Sequence, residues 1–216
     1  MLMHIINVKH DIFKENRKLA SKNKKMLNEK NVFAVNIMGA IGSGKTTLIE
    51  EAIKRLKRYN IAVIAGDVIA KMDAERFIKL GVKTVEANTG HECHLDAKII
   101  EKSLKELNLD EIDVLFIENV GNLICPADYD LGEHKRIVAV SVSEGDDIVL
   151  KHPVIFKTVD LAIIHKIDIA KAVRADEKKM EKDAQMLNPN IPVLLTSTKN
   201  EKSMEKWIEY IISNLG

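Results

Sequence analysis

Cysteine is scarce in this sequence: Cys93 and Cys125 are the two thiols in 216 residues. So few cysteines exclude a disulfide framework, and in a reducing cytosol ligand or packing roles suit them better than a bond to each other. Charge of one sign is missing as well, since 33 Lys and Arg stand against 32 Asp and Glu for a net charge of +1. No global field therefore recruits nucleic acid or an anionic membrane. Basic residues do gather between Lys14 and Lys30, but Glu15 and Glu29 interrupt them, and they read as the wet face of a helix. Apolar runs stay short of the ~18 residues that span a bilayer. Residues 1–8, which include His4 and Asn7, lack the features of a secretory signal. The expected location is cytoplasmic, with no nucleic acid and no membrane as partner.

Only four prolines are present, Pro126, Pro153, Pro189 and Pro192, and each falls between apolar runs, where a missing N–H is harmless. Those runs are short. Residues 32–38, 61–65, 83–86, 114–117, 137–142, 161–164 and 193–195 read as buried strands. Residues 45–58, 74–80, 95–107, 174–187 and 202–212 have helical spacing. Strand and helix in alternation define an α/β chain with a mostly parallel central sheet covered on both faces, three layers in all. Residues 1–30 are expected to form a polar helical extension, with a helix over 11–28 whose sparse apolar stripe is Ile12, Leu19, Met26 and Leu27. That stripe could pack on the main domain or on a second subunit. Residues 31–216 are the main domain.

The strongest motif is Gly39-Ala40-Ile41-Gly42-Ser43-Gly44-Lys45-Thr46, set between a strand and a helix at the spacing of a phosphate-binding loop. Glycines let backbone N–H groups, including those of Ser43 and Thr47, face phosphate oxygens; Lys45 reaches the β/γ oxygens, and the Thr46 hydroxyl faces Mg²⁺. Two acids end neighbouring strands, Asp67 after Ala65-Gly66 and Glu118 after Phe116-Ile117, and either can help hold the magnesium. The following Asn119-Val120-Gly121 is expected to be a flexible point beside the γ-phosphate. Farther on, His165-Lys166-Ile167-Asp168 places a carboxylate where it can accept from guanine N1–H and its 2-amino group, a pair adenine does not offer. The Lys166 stem can cover the base, with Ser197 and Lys199 lining its other edge.

Cys93 and His94 lie where a loop is expected to enter a helix, which would set them about 100° apart and favour a thiolate. With Cys125 they make two thiolates and one imidazole, a soft set for Zn²⁺ or Ni²⁺. Spacing alone also fits two buried thiols and a surface histidine. Three ligands are one short of a closed tetrahedral site. Water, His91 or a ligand shared across a symmetric dimer could fill the gap, and the scarcity of other soft ligands favours sharing.

Taken together, these pieces resemble the hydrogenase nickel-incorporation GTPase family, within the P-loop metallochaperone and targeting GTPases. The resemblance rests on residues 39–46, on Thr89-Gly90 with Cys93-His94-Leu95-Asp96-Ala97, and on Glu118-Asn119-Val120-Gly121-Asn122-Leu123 followed by Cys125-Pro126. Leu131-Gly132-Glu133, Ser143-Glu144-Gly145-Asp146-Asp147 and Lys166-Ile167-Asp168 extend it over nearly all of residues 32–216. It implies GTP-dependent delivery of nickel for [NiFe] hydrogenase maturation, sometimes serving urease, by a protein that dimerises when GTP-bound. It further implies a hydrogenase maturation partner and a metal site on Cys93, His94 and Cys125 that takes zinc as well as nickel. Phosphate, magnesium and guanine roles then fall to Lys45, Thr46, Asp67, Glu118 and Asp168. Two departures stand out. His165 replaces the usual Asn of the guanine motif, so Lys151 becomes a candidate reader of O6, and residues 1–30 lack the cysteine-rich or histidine-rich nickel store of some relatives.

The expected reaction is GTP plus water to GDP plus phosphate. Lys45, Thr46 and Mg²⁺ stabilise the transferring phosphoryl group, and Asp67 positions the attacking water or a magnesium-bound one. A small-molecule kinase is the rival enzyme, because the same loop can serve a hydroxyl acceptor. A nucleotide-regulated nickel or zinc store without significant catalysis is the rival outside enzymology.

Overall fold

The computed structural model describes residues 8–67, 71–90 and 92–215, with side chains described for 12–66, 74–90 and 92–215. A long helix, α1 (Val8–Glu29), precedes β1 (Phe33–Gly39), α2 (Lys45–Arg55), β2 (Ile61–Asp67), α3 (Lys71–Lys79) and β3 (Lys83–Asn88). Then come α4 (Ala97–Lys105), β4 (Val114–Gly121), β5 (Lys135–Ser141), α5 (Ile148–Lys151) and α6 (Pro153–Thr158). The chain continues through β6 (Leu161–His165), α7 (Ala170–Val173), α8 (Glu177–Leu187), β7 (Val193–Leu195) and α9 (Glu201–Asn214).

The strands form one sheet in the order β3-β2-β4-β1-β5-β6-β7, and every paired neighbour is parallel. Buried parallel strands explain the near-continuous apolar runs in the sequence, since both faces of each strand are covered. On one face Val35, Ile37, Val63, Phe116, Ile137 and Ile163 meet Leu48, Ile49, Phe77 and Trp207 from α2, α3 and α9. Burying side chains of this size is worth about 1.5–3 kcal/mol each. Trp207 also donates its indole N–H to the Leu48 carbonyl at 3.0 Å, which satisfies its polar end inside the core. The other face divides into a cluster under α6 and α8, with Phe156, Met180 and Ala184, and one under α1 and α4, with Leu27, Ile100 and Leu104.

Helix α1 packs on the main domain, one of its two expected placements: of the expected stripe Leu27 is buried and Met26 packs against the same cluster, while asparagines take up much of the rest. Ile12 is 48% exposed, and the buried positions of the helix are Asn16, Ala20, Asn23 and Leu27, at helical spacing. Two asparagines replace apolar residues in this stripe because the surface beneath offers backbone groups. Asn16 accepts from Ala97 N at 2.8 Å and donates to Asp130 O at 2.8 Å. Asn23 donates to Ala97 O at 2.8 Å and Leu131 O at 3.0 Å. Gly132, with φ 93°, has no room for a Cβ between Ala20 O, Asn23 Cβ and Lys24 N, so glycine is what lets the helix lie down here. The extension is part of the main packing, clamped across the start of α4 and the loop before β5.

Two other boundaries shift for physical reasons. Asn119-Val120-Gly121, expected to be a flexible point after the strand, instead continues β4 to Gly121 with Asn119 and Val120 buried, and a register shift opposite Ile37 and Gly39 absorbs the irregularity. The helix expected over 174–187 begins at Glu177, because Arg174 ends α7 in the left-handed region and Asp176 caps α8 by accepting from Lys178 N and Lys179 N.

Candidate nucleotide and metal site

A fully parallel sheet puts every strand's C-terminal tip on one edge, so the motif residues converge there. The loop after β1 leads to Gly44, whose φ of 105° starts α2, and a Cβ at that position would collide with the His165 ring. Lys45 is buried and folds back on its own loop, donating to Gly39 O and Ala40 O at 3.1 Å each. Those carbonyls hold the ammonium beside the space that phosphate oxygens would take. Ser43 Oγ is buried and has no hydrogen-bond partner among the described residues, as expected of a cradle whose partner is a ligand. Thr47 lies half-buried one position beyond Thr46 in α2.

Thr46 Oγ1 donates to Glu118 Oε1 at 2.7 Å, so the hydroxyl and one of the two candidate acids for magnesium are brought together. The backbone of Asp67 ends β2 beside Asn88, and its side chain lies outside the described residues. A hydroxyl and a carboxylate at the head of a phosphate loop are hard oxygen donors, the set that fits Mg²⁺.

The base motif assembles on the same edge. Lys166 takes φ 61° and donates to Gly42 O at 2.7 Å, laying its stem between phosphate loop and base site. Asp168 accepts from Ser197 Oγ at 2.6 Å and pairs with Lys199 at 3.0 Å, and these two contacts hold its carboxyl below the usual range. Lys151 is not brought to this cluster: it pairs with Asp147 one helical turn away at 2.7 Å, on the surface. His165 is enclosed by its neighbours. It is 2% exposed, packs under Gly44 and shares a 2.8 Å hydrogen bond with Thr196 Oγ1. Burial, reinforced by the Lys166 charge, lowers its pKa to about 4. It is a neutral brace between the phosphate loop and the segment after β7.

Cys93, His94 and Cys125 meet with their ligand atoms all within 4.8 Å of one another. Cys93 and Cys125 are free thiols with sulfurs 2.7 Å apart, and Cys93 Sγ lies 3.8 Å from His94 Nδ1. The expected helix start is displaced: α4 begins at Ala97, its N-terminus is capped by Asp96 accepting from Ile99 N, and both ligands sit in the loop before it. The helix end therefore does not stabilise a Cys93 thiolate. The hydrogen bond with Cys125, followed by burial, pushes the Cys93 thiol up. Burial lowers the pKa of His94, which keeps a lone pair available for a metal. Its ring stacks on Tyr129 at 3.8 Å between centroids, and Tyr129 in turn meets Phe13 of α1 at 5.3 Å. His91 lies outside the described residues.

Several groups here went unassigned in the sequence reading. Asn36, Glu133 and Arg136 form buried polar contacts behind the two loops, and the advance signs of them are an asparagine inside the apolar run of β1 and the Leu131-Gly132-Glu133 segment of the family resemblance.

Residues 33–195 match the CobW/HypB/UreG nucleotide-binding domain, which makes the chain a P-loop protein of that class. It is 59% identical over 211 residues to the probable hydrogenase maturation factor HypB of Methanocaldococcus jannaschii, covering 97% of this chain and 96% of that protein. The crystal structure of hydrogenase maturation factor HypB from Archaeoglobus fulgidus aligns at TM-score 0.89 and 49% identity, over 94% of this chain and 100% of that one. The structure of HypB from Helicobacter pylori in complex with nickel also aligns at 0.89, with 36% identity over 93% of this chain and 95% of that one. The chain belongs to the hydrogenase maturation factor HypB family. Among its described residues, no helix is long and apolar enough to cross a membrane.

Proposed function

We propose that this protein is a Mg²⁺-dependent GTPase that binds nickel and delivers it during [NiFe] hydrogenase maturation, dimerising when GTP is bound. The observation that carries the reading is the meeting of Cys93, His94 and Cys125 within 4.8 Å on the strand-tip edge that also carries the phosphate loop. Two thiolates and an imidazole suit a soft or borderline divalent ion, so Zn²⁺ competes for the same ligands. A relative solved with nickel supports nickel as cargo.

On GTP binding, Lys45 exchanges the Gly39 and Ala40 carbonyls for phosphate oxygens, and the Ser43 hydroxyl gains the partner it lacks. Thr46 and Glu118, with Asp67, are the groups that would hold Mg²⁺, which supplies charge neutralisation at the β/γ oxygens. Asp168 accepts from guanine N1–H and the 2-amino group, and Lys166 covers the base face. Asp67 orients the attacking water. Hydrolysis is slow in the isolated subunit, because among the described residues no side chain stands out as a general base. The three-ligand metal site is one donor short, and a second copy completes it when GTP orders the strand-tip edge.

The test is a nickel titration by equilibrium dialysis with GDP or a nonhydrolysable GTP analogue, paired with light scattering and a phosphate-release assay. Tighter metal binding and a dimer with the analogue, plus phosphate release without an added acceptor, are expected. Identical metal affinity and mass in both nucleotide states would sink the coupling. Negligible phosphate release in the presence of metal and the maturation partner would favour the storage reading.

A further inference from the structure

A line of buried polar side chains runs behind the metal loops, and the functional roles above leave it unused. Asn119, next to Glu118 in β4, accepts from Leu95 N at 3.2 Å, and Leu95 directly follows His94. The same side chain donates to Asn36 Oδ1 at 3.2 Å. Asn36 in turn donates to Glu133 Oε1 at 3.0 Å, and Glu133 Oε2 accepts from Leu131 N at 2.8 Å. Arg136 pairs with Glu133 at 3.3 Å and donates to the carbonyls of Pro126, Ala127 and Tyr129 at 2.8, 3.3 and 3.4 Å. These carbonyls belong to the turn that begins at Cys125.

The line thus has one end beside the acid bonded to Thr46 and branches to both ligand-bearing loops. Asn36 and Asn119 are 0% and 1% exposed, and a buried amide is costly to leave unpaired, so the line tolerates only a few arrangements of its members. Dissolving such a contact in the core costs more than shifting it as a unit.

We propose that Asn36 and Glu133 are positioning residues that transmit the placement of the Glu118-Asn119 segment to Cys93, His94 and Cys125. This rests on the nucleotide-coupled metal binding set out above. Neither residue is a ligand to nucleotide or metal. Their contribution is to make the distance between the two loops depend on the nucleotide end of β4.

The test is the ratio of nickel affinities with GTP analogue and with GDP, measured for wild type and variants whose melting curves and GDP affinity are checked first. Asn36→Leu removes both hydrogen bonds of the junction, and the ratio should fall from a coupling of about fivefold or more to near one. Asn36→Asp opposes two carboxylates and should act likewise. Asn36→Asp combined with Glu133→Gln exchanges donor and acceptor along the same bond, since the new amide donates to the new carboxylate, and should restore the ratio in part, because the Glu133 charge that pairs with Arg136 is lost.

A folded Asn36→Leu protein with an unchanged ratio would overturn the proposal. So would one in which metal weakens equally in both nucleotide states, because that marks plain structural support. A wild-type ratio of one would instead bring down the coupled function itself, and is recognised before any variant is made. If the variants do not fold, hydrogen exchange on wild type decides. The Leu95 and Leu131 amides should change protection together between GDP and analogue, and unchanged protection alongside altered metal affinity overturns the proposal.

Discussion

Thr46 and Glu118, one from the first turn of α2 and one from β4, share a 2.7 Å hydrogen bond. The pair brings a hydroxyl and a carboxylate to the head of the phosphate loop, two oxygens suited to magnesium. Glu118→Gln keeps a carbonyl oxygen to accept from Thr46 but removes the charge. Magnesium-dependent phosphate release should fall by roughly 10²-fold, in the range seen when one electrostatic contact to a transition state is lost. GDP binding without magnesium should change little. Retained hydrolysis with an unaltered magnesium requirement would remove Glu118 from the site.

Asp168 is held ionised by Ser197 and Lys199, so its two oxygens are preset as acceptors. Asp168→Asn replaces one acceptor with a donor facing the donors of guanine. Discrimination for GTP over ATP should drop by about 10–100-fold, the worth of a hydrogen bond to a charged group. Competition binding with labelled GDP reads this directly, and unchanged discrimination assigns base selection elsewhere.

His165 gives the protein an acid-sensitive brace. Its folded-state pKa is about 4 against 6.5 for a free imidazole, so between these values the unfolded chain takes up a proton that the folded one refuses. The stability it contributes is fully present above 6.5 and is lost as pH falls toward 4. His134, lowered to about 4 by burial and then Lys24, adds in the same direction. Urea midpoints should therefore decline from about pH 7 to about pH 5, and His165→Asn should flatten part of that slope. An equal slope in the variant would show that His165 titrates freely.

The clamp from α1 should be measurable as stability. Asn16→Leu leaves Ala97 N and Asp130 O without their partner in a tight contact, at a cost of about 1–3 kcal/mol. Chemical denaturation checks this. A loss below about 0.5 kcal/mol would mean that water replaces the amide at no penalty.

The seven strands and the meeting of Cys93, His94 and Cys125 were legible, because each depends on a local signal: an apolar run, or a rare soft ligand beside a glycine-rich spacing. What escaped depends on tertiary partners. The stripe of Ile12, Leu19, Met26 and Leu27 was chosen for hydrophobicity, whereas Asn16 and Asn23 are buried because backbone groups of residues 97, 130 and 131 await them. His165 was read as a faulty base contact, since nothing in its own segment says that Gly44 and Thr196 enclose it. Lys151 is taken up by a local partner, since Asp147, a helical neighbour, pairs with it at 2.7 Å.

The span of the α1 clamps has a consequence for the order of assembly. Asn16 and Asn23 bond to groups 74 to 114 residues further along, so α1 is seated only after residues 97, 130 and 131 have come together beneath it. Until residue 131 has been made, Asn23 lacks the second of its two backbone acceptors and the clamp stays open.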